Sequence, residues 1–388
     1  MSKTVFHASV GPVLTLYDLD IDNAAIKQRS TITLPANIQY LWPHPSRRYV
    51  YVVSSTGGPG IAGDKHFANA LIVDPSSGEL KLHGEPALLP SRPIHATVDA
   101  TGQYLLTAFN IPSNISVHRL NADGTIGALV PQTETLDTGI FAHQIRMTPS
   151  NRAAVLVTRG NNADGGKSED PGALKTFSFR DGVLKNLASI APGTGADLGI
   201  GFGPRHLDFH PTEPWAFVSI ERQNKLYMYK LDEKTALARE PSFIKETLTD
   251  PHSEAEQGAG GIHVHPNGEF VYLTNRTFPA SPSGGRKMSA NGENTVAVYA
   301  IDSKTGEPRR IQSIDGDGVQ LRTFSMDPDG RVLIAASILP VARPDGAIVT
   351  AGLTVFRMGS DGKLTFVRKH NVDVGKFQQF WSGMVTLP

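Results

Sequence analysis

The chain has 388 residues, 39% of them apolar and 19% charged, with 37 acidic and 37 basic side chains and no cysteine. That balance describes a folded chain rather than a disordered one, and it excludes disulfides, thiolate metal sites and a cysteine nucleophile. With no net charge and no basic run, nucleic acid and anionic membranes are not expected as partners. No stretch approaches the length of uncharged apolar sequence that a membrane-spanning helix needs.

In chain order, the N-terminal segment reads as two short strands, Thr4–Val10 and Val13–Leu19. It lacks the charged start, unbroken apolar run and cleavage site of a secretory signal, so a cytoplasmic location is expected. Six related stretches follow: YLWPHPSRRYVYVV, HATVDATGQYLLTA, QIRMTPSNRAAVLV, HLDFHPTEPWAFVS, IHVHPNGEFVYLTN and TFSMDPDGRVLIAA. Each is a strand, a turn and a second strand. The turn residues Pro45, Ala100, Pro149, Pro211, Pro266 and Pro328 recur at roughly 50 to 60 residues, the period of a propeller-type array.

One unit shows the plan. Arg205–Phe209 is a first strand, His210–Pro214 its turn, Trp215–Ile220 a second strand and Leu226–Leu231 a third, with a weaker fourth after Asp232-Glu233-Lys234. His210 and His265, as turn residues, are expected to be exposed to solvent. The leftover N-terminal strands and the C-terminal stretch Phe377–Leu387 together complete a seventh sheet, which removes the open edges. The expected fold is all-β: a single domain over residues 1–388, a seven-bladed β-propeller of four-stranded antiparallel blades, the last closed by both chain termini.

In an up-and-down blade, the start of the first strand, the end of the second and the loop from second to third share one face. The long segments Ser55–Phe67, Arg159–Gly172, Thr277–Asn294 and Ile338–Gly352 all fall in that loop, and they are expected to wall a cleft over the channel mouth. Polar residues expected there are Gln39, Tyr40, His95, His143, Gln144, Arg205, His206, His263 and Arg322 from first strands. The second-strand ends offer Glu221, Asn275 and Arg276. Two converging guanidiniums, Arg205 and Arg276, need an anion or carboxylate between them, and Glu221 is close enough to serve or to carry a proton. No His-Glu-x-x-His or Gly-x-Ser-x-Gly pattern appears, and one member of His263-x-His265 sits beside a turn. Neither a metal nor a nucleophilic serine is therefore expected, nor any cofactor.

The run Gly203-Pro204-Arg205-His206, with Phe209-His210-Pro211 and Glu221, resembles the cytoplasmic lactonase propellers. That family includes the bacterial 6-phosphogluconolactonase type and carboxy-cis,cis-muconate lactonizing enzyme. Ala142-His143-Gln144, Ile262 to Gly268, Thr274-Asn275-Arg276, and Arg322-Thr323-Phe324 before Asp327-Pro328-Asp329-Gly330 extend the likeness over nearly the whole chain. The resemblance implies seven blades without an obligatory metal, and His143, Glu221, Arg205 and Arg276 as the functional core. Departures fall on the substrate face: Ser54-Ser55 where Asn-Glu is usual, Thr158-Arg159-Gly160-Asn161 where Asp-Leu-Gly-x-Asp is usual, and Ala108-Phe109-Asn110 where Ala-Asn-Tyr is usual.

The expected activity is hydrolysis of a small sugar-acid lactone. Arg205 and Arg276 would stabilise the oxyanion, and His143 and Glu221 would share the roles of base and acid in either order. His95, Gln144, His206, His263, Asn275 and Arg322 would bind substrate. A cycloisomerase acting on a muconate and a non-catalytic binding propeller are the alternatives. The expected partner is a small molecule, and oligomeric state stays open.

Overall fold

Alternating apolar residues between turn signals form strands, and these strands are too short to bury a core on their own. The computed structural model describes residues 3–388 except 60, 62, 254, 279–291 and 343–346. Within these residues the strands assemble into seven antiparallel sheets, with a two-stranded hairpin, Val341–Ala342 with Ile348–Val349, beside the sixth.

The blades are numbered by their inner strands: Asn37–Pro43, Pro93–Val98, Ala142–Met147, Pro204–Phe209, Gln257–Val264, Leu321–Met326 and, for blade 7, Gln379–Thr386. In blades 1 to 6 the second strand returns next in sequence: Tyr49–Ser55, Tyr104–Asn110, Ala153–Thr158, Trp215–Ile220, Phe270–Thr277 and Val332–Ser337. Blade 7 is made from both ends of the chain. Its inner strand pairs antiparallel with Thr4–Val10, and Val13–Asp20 and Ala25–Thr33 lie outside it. Successive inner strands pack on one another, and the last packs on both Leu321–Met326 and Asn37–Pro43, which closes the ring.

The apolar core lies between blades. One cluster joins Tyr104, Leu106 and Val117 of blade 2 to Ile145, Leu156 and Phe177 of blade 3. Another joins Val5, Leu14 and Leu16 of blade 7 to Val50, Val52 and Leu71 of blade 1, so the seam is packed like the other junctions.

The turn histidines correct one expectation: His210 and His265 are buried, not exposed. Their Nδ1 atoms accept backbone N–H groups of their own turns, from Glu213 at 2.9 Å and Asn267 at 3.1 Å. That leaves the proton on Nε2, which donates to a carbonyl in the next blade's turn, Gly268 at 2.8 Å and Gly330 at 3.2 Å. His44 reaches Gly102 in the same way at 2.9 Å. Gly330 is needed twice over: its φ is +65°, and a Cβ there would lie 2.0 Å from the His265 ring. His210→Ala leaves the Gly268 carbonyl and two turn N–H groups without partners. It is expected to lower stability in urea unfolding by about 1–3 kcal/mol without touching the channel mouth.

The segments 56–65, 159–172, 278–294 and 338–351 all connect second to third strands, as expected from the sequence. Residues 60, 62, 279–291 and 343–346 of these loops lie outside the described residues.

Candidate active site

Each inner strand is interrupted near its start. In all seven blades the pairing with the second strand skips a residue there, so an extra residue stands opposite the ladder. The extra residue is Gln39, Ile94, His143, Arg205 or Arg322 in blades 1, 2, 3, 4 and 6. It falls within Gly260-Gly261 in blade 5 and Phe380-Trp381 in blade 7. A bulge re-aims a side chain that a regular strand would hold in alternation. Here it supplies three of the ionisable groups of the site, His143, Arg205 and Arg322, while Ile94 packs into the core between blades.

Glu221 stands one residue past the second strand of blade 4, its N–H donating to Gly203 O at 2.9 Å. Three arginines surround its carboxylate. Arg276 Nη2 from blade 5 binds Oε1, Arg205 Nε approaches Oε1 at 3.8 Å, and Arg159 Nη1 from blade 3 reaches Oε2 at 3.4 Å. Arg205 is only 1% exposed and Arg159 27%. Burial by itself would raise the Glu221 pKa, but Arg276, Arg159 and Arg205 outweigh it and hold the group at about 2. Arg205 is lowered to about 9 by burial and then by Arg276, and stays charged at neutrality.

His143 is buried, and its Nδ1 makes no hydrogen bond among the described residues. Its ring lies 5.0 Å from that of His206 and 6.4 Å, stacked, from Phe141. Burial, then Arg205, Arg322, Arg159 and Arg276, push its pKa well below the usual 6.5. It is therefore a neutral imidazole with a free nitrogen, next to an array of cations.

Arg322 lies 3.7 Å over the Phe380 ring, and Arg92 lies 5.7 Å from the same ring. Arg92 Nε also donates to Gln39 Oε1 at 2.9 Å. Neither has a carboxylate partner among the described residues, so the mouth holds five guanidiniums against one carboxylate, Glu221, which pairs with three of them. The excess positive charge suits an anionic ligand.

The other expected site residues divide. His206 lies beside His143, with Nδ1 3.4 Å from Arg205 Nη1. His95 sits under Tyr40, ring centroids 3.9 Å apart, and both its ring nitrogens lack a partner. Gln144 is turned to the backbone, Oε1 accepting Leu207 N–H at 2.7 Å and tying blade 3 to blade 4.

Asn275 and His263 correct the expectation. The side chain of Asn275 donates to Thr247 O at 2.8 Å and Thr295 Oγ1 at 3.1 Å, away from the mouth. His263 lies near the end of its strand, which begins at Gln257 rather than at Ile262. There it meets Asp208 at 3.4 Å and the edge of Phe324, toward the turn face. Asp208 also pairs with Arg146 at 2.9 Å, which forms a separate polar layer lower in the channel.

Arg159, Arg92 and Phe380 are not among the residues that the repeat pattern singles out. A signal for Arg159 exists: like Glu221, it is the first residue past a second strand. Its N–H pairs with Phe141 O just as that of Glu221 pairs with Gly203 O. Among the described residues, no group of three or more His, Asp or Glu side chains is arranged to hold a metal. No helix of these residues is long and apolar enough to cross a membrane.

Fold and mouth together define a seven-bladed propeller with a buried, arginine-rich polar cluster at one end of its channel. The family model described as "Lactonase, 7-bladed beta-propeller" matches residues 6–338. The 6-phosphogluconolactonase of Bacillus subtilis is 25% identical over 323 residues, 83% of each chain. That of Pectobacterium atrosepticum is 25% identical over 306 residues, 79% of each. Among solved structures, the periplasmic gluconolactonase PpgL of Pseudomonas aeruginosa superposes with a TM-score of 0.75 at 18% identity, over 99% of both chains. A putative 6-phosphogluconolactonase of Bacteroides uniformis gives 0.72 at 20% identity, again over 99% of both; at such identities these two show the fold alone. The chain belongs to the lactonase family of seven-bladed β-propellers, hydrolases that open cyclic esters.

Proposed function

We propose that this chain hydrolyses a small sugar-acid lactone bearing an anionic group, and that His143, Arg205, Glu221 and Arg276 carry the reaction. The observation that supports this most is the pairing of an ionised Glu221, held among Arg159, Arg205 and Arg276, with a neutral, unpartnered His143. His143 takes a proton from water as it attacks the ring carbonyl. The arginines stabilise the resulting oxyanion. The ring C–O bond then breaks, and the His143 imidazolium returns the proton to the departing ring oxygen, leaving a hydroxy acid. Glu221, held at about pKa 2, is a poor base; its role is to position the arginines and keep them from repelling one another. Arg322 and Arg92 offer two guanidiniums for the substrate's carboxylate or phosphate.

The relatives named 6-phosphogluconolactonase support a phosphorylated aldonolactone as first candidate. A disulfide-free chain needs no oxidising compartment, which fits action in the cytoplasm. The test is a panel of 6-phosphogluconolactone, neutral aldonolactones and aldarolactones, followed by acid release with and without a chelator. Anionic lactones are expected to be opened with kcat/KM about 10- to 100-fold above neutral ones, and Arg322→Ala is expected to narrow that gap. Equal or better turnover of neutral lactones would reject the anionic substrate. Consumption of a cis,cis-muconate without lactone opening would move the same site to cycloisomerisation.

A further inference from the structure

The three arginines around Glu221 are not alike. Arg205 and Arg276 are sealed, with side chains 1% and 6% exposed, whereas Arg159 is 27% exposed. Its hold on Glu221 is a single contact of 3.4 Å from Nη1 to Oε2, and its Nε reaches Gly160 O, again at 3.4 Å. Two of its five N–H donors are thus used, both at long range, and Nη2 has no partner among the described residues. The main chain beneath is pinned by two bonds of 2.9 Å, from Arg159 N–H to Phe141 O and from Gly160 N–H to Ile140 O. The side chain alone is free to turn, and when it does Glu221 keeps Arg276 and Arg205.

Phe141 joins Arg159 to the base. The guanidinium lies 4.2 Å over this ring, an attraction that uses none of its N–H donors. The His143 imidazole stacks on the same ring at 6.4 Å. After burial, Arg205 and Arg322, Arg159 is also the next contributor to the low pKa of His143. A reachable guanidinium with unspent donors therefore stands beside the base, where the proposed reaction ends. There the charge changes. The intact lactone presents a neutral carbonyl. Once the ring C–O bond has broken, the acid formed at that carbon gives its proton to solvent at neutral pH and becomes a carboxylate. The planar fork of an arginine matches a carboxylate with two hydrogen bonds.

We propose that Arg159 is the anchor for the carboxylate that ring opening creates, so that the site grips its sugar-acid product by a contact the intact lactone cannot make. The inference rests on the lactonase reading and adds regulation to it: the product competes with its own precursor and restrains turnover as it accumulates. Arg322 and Arg92 serve the anionic group that substrate and product share, and Arg159 answers to the new one.

Calorimetric titration of the full chain reads the anchor without turnover. Two pairs of probes each differ by one carboxylate: 6-phosphogluconate against glucitol 6-phosphate, and glucarate against gluconate. In at least one pair the member with the extra carboxylate is expected to bind about tenfold more tightly. Arg159→Gln is expected to abolish that preference, and to raise the inhibition constant of the same acid against lactone opening by a similar factor. Arg159→Lys, a point charge on a flexible stem, is expected to keep part of it. If Arg159 merely steadies Glu221, both members of a pair weaken together in Arg159→Gln and the preference survives. That result, no preference in either pair, or no binding by any probe would overturn the anchor. If Arg159→Gln does not unfold cooperatively on heating, Arg159→Lys decides, and an undiminished preference counts against the anchor. Lactone opening without a carboxylate preference would uphold the reaction and reject the anchor. A preference lost in Arg159→Gln, in a chain that opens no lactone, would uphold the anchor and reject the reaction.

Discussion

His143→Ala is expected to lower kcat for lactone opening by about 10²–10⁴-fold, the usual contribution of a positioned base, with a thermal midpoint changed by no more than a few degrees. The second half of that expectation follows from the ring's surroundings. Its Nδ1 has no hydrogen-bond partner among the described residues, so removing it strands no protein donor or acceptor there. The pH profile gives an independent readout. Burial and four arginines hold His143 well below 6.5, so kcat/KM for the native chain should stay level from about pH 8 to about pH 6 and bend only at lower pH. A profile bending at an ordinary histidine pKa would contradict this environment. An alanine variant with native turnover would remove His143 from the chemistry.

Glu221→Gln is expected to cost about 3–5 kcal/mol, because it leaves Arg205 and Arg276 buried with no counter-charge. Urea unfolding at neutral pH measures this. The carboxyl titrates near 4.5 when free and at about 2 in the fold. Its stabilisation is therefore complete above about pH 4.5 and is lost as pH falls toward 2. The variant should flatten the acid limb of the stability curve in that window. Sulfate or phosphate, by pairing with the uncompensated arginines, should restore part of the loss by binding the folded form. Native stability for Glu221→Gln would mean that the arginines are neutralised by some other route.

The fold was legible because its signals are local. Alternation, Pro- and Gly-bearing turns and the leftover end strands each sit within a few residues of the element they specify, and the second-to-third-strand loops follow from blade geometry. The site was legible where a charged residue marked a strand start or end, as with His143, Arg205, Glu221 and Arg276. It was not legible where the strand itself was hidden. The run Gln257-Gly258-Ala259-Gly260-Gly261 has no alternation, so blade 5 seemed to begin at Ile262 and His263 seemed to stand at the mouth. Asn275 and Arg276 are neighbours in one strand, so alternation puts them on opposite faces and only one of them, Arg276, meets Glu221; which one does so depends on how the blades pack. The turn histidines looked exposed because what buries them is a backbone carbonyl about one repeat away, at Gly268 or Gly330.

The interrupted pairing at the head of every inner strand separates two jobs that most enzymes entangle. A side chain standing out of the ladder contributes little to the pairing of its sheet, so positions 39, 143, 205 and 322 tie the ring together through the polar cluster they form and not through strand register. Two blades are exceptions: Ile94 of blade 2 is committed to the core, and in blade 5 a Cβ on Gly260 would strike Thr274 Oγ1 at 2.3 Å, so that position is closed to any side chain unless its neighbour changes too.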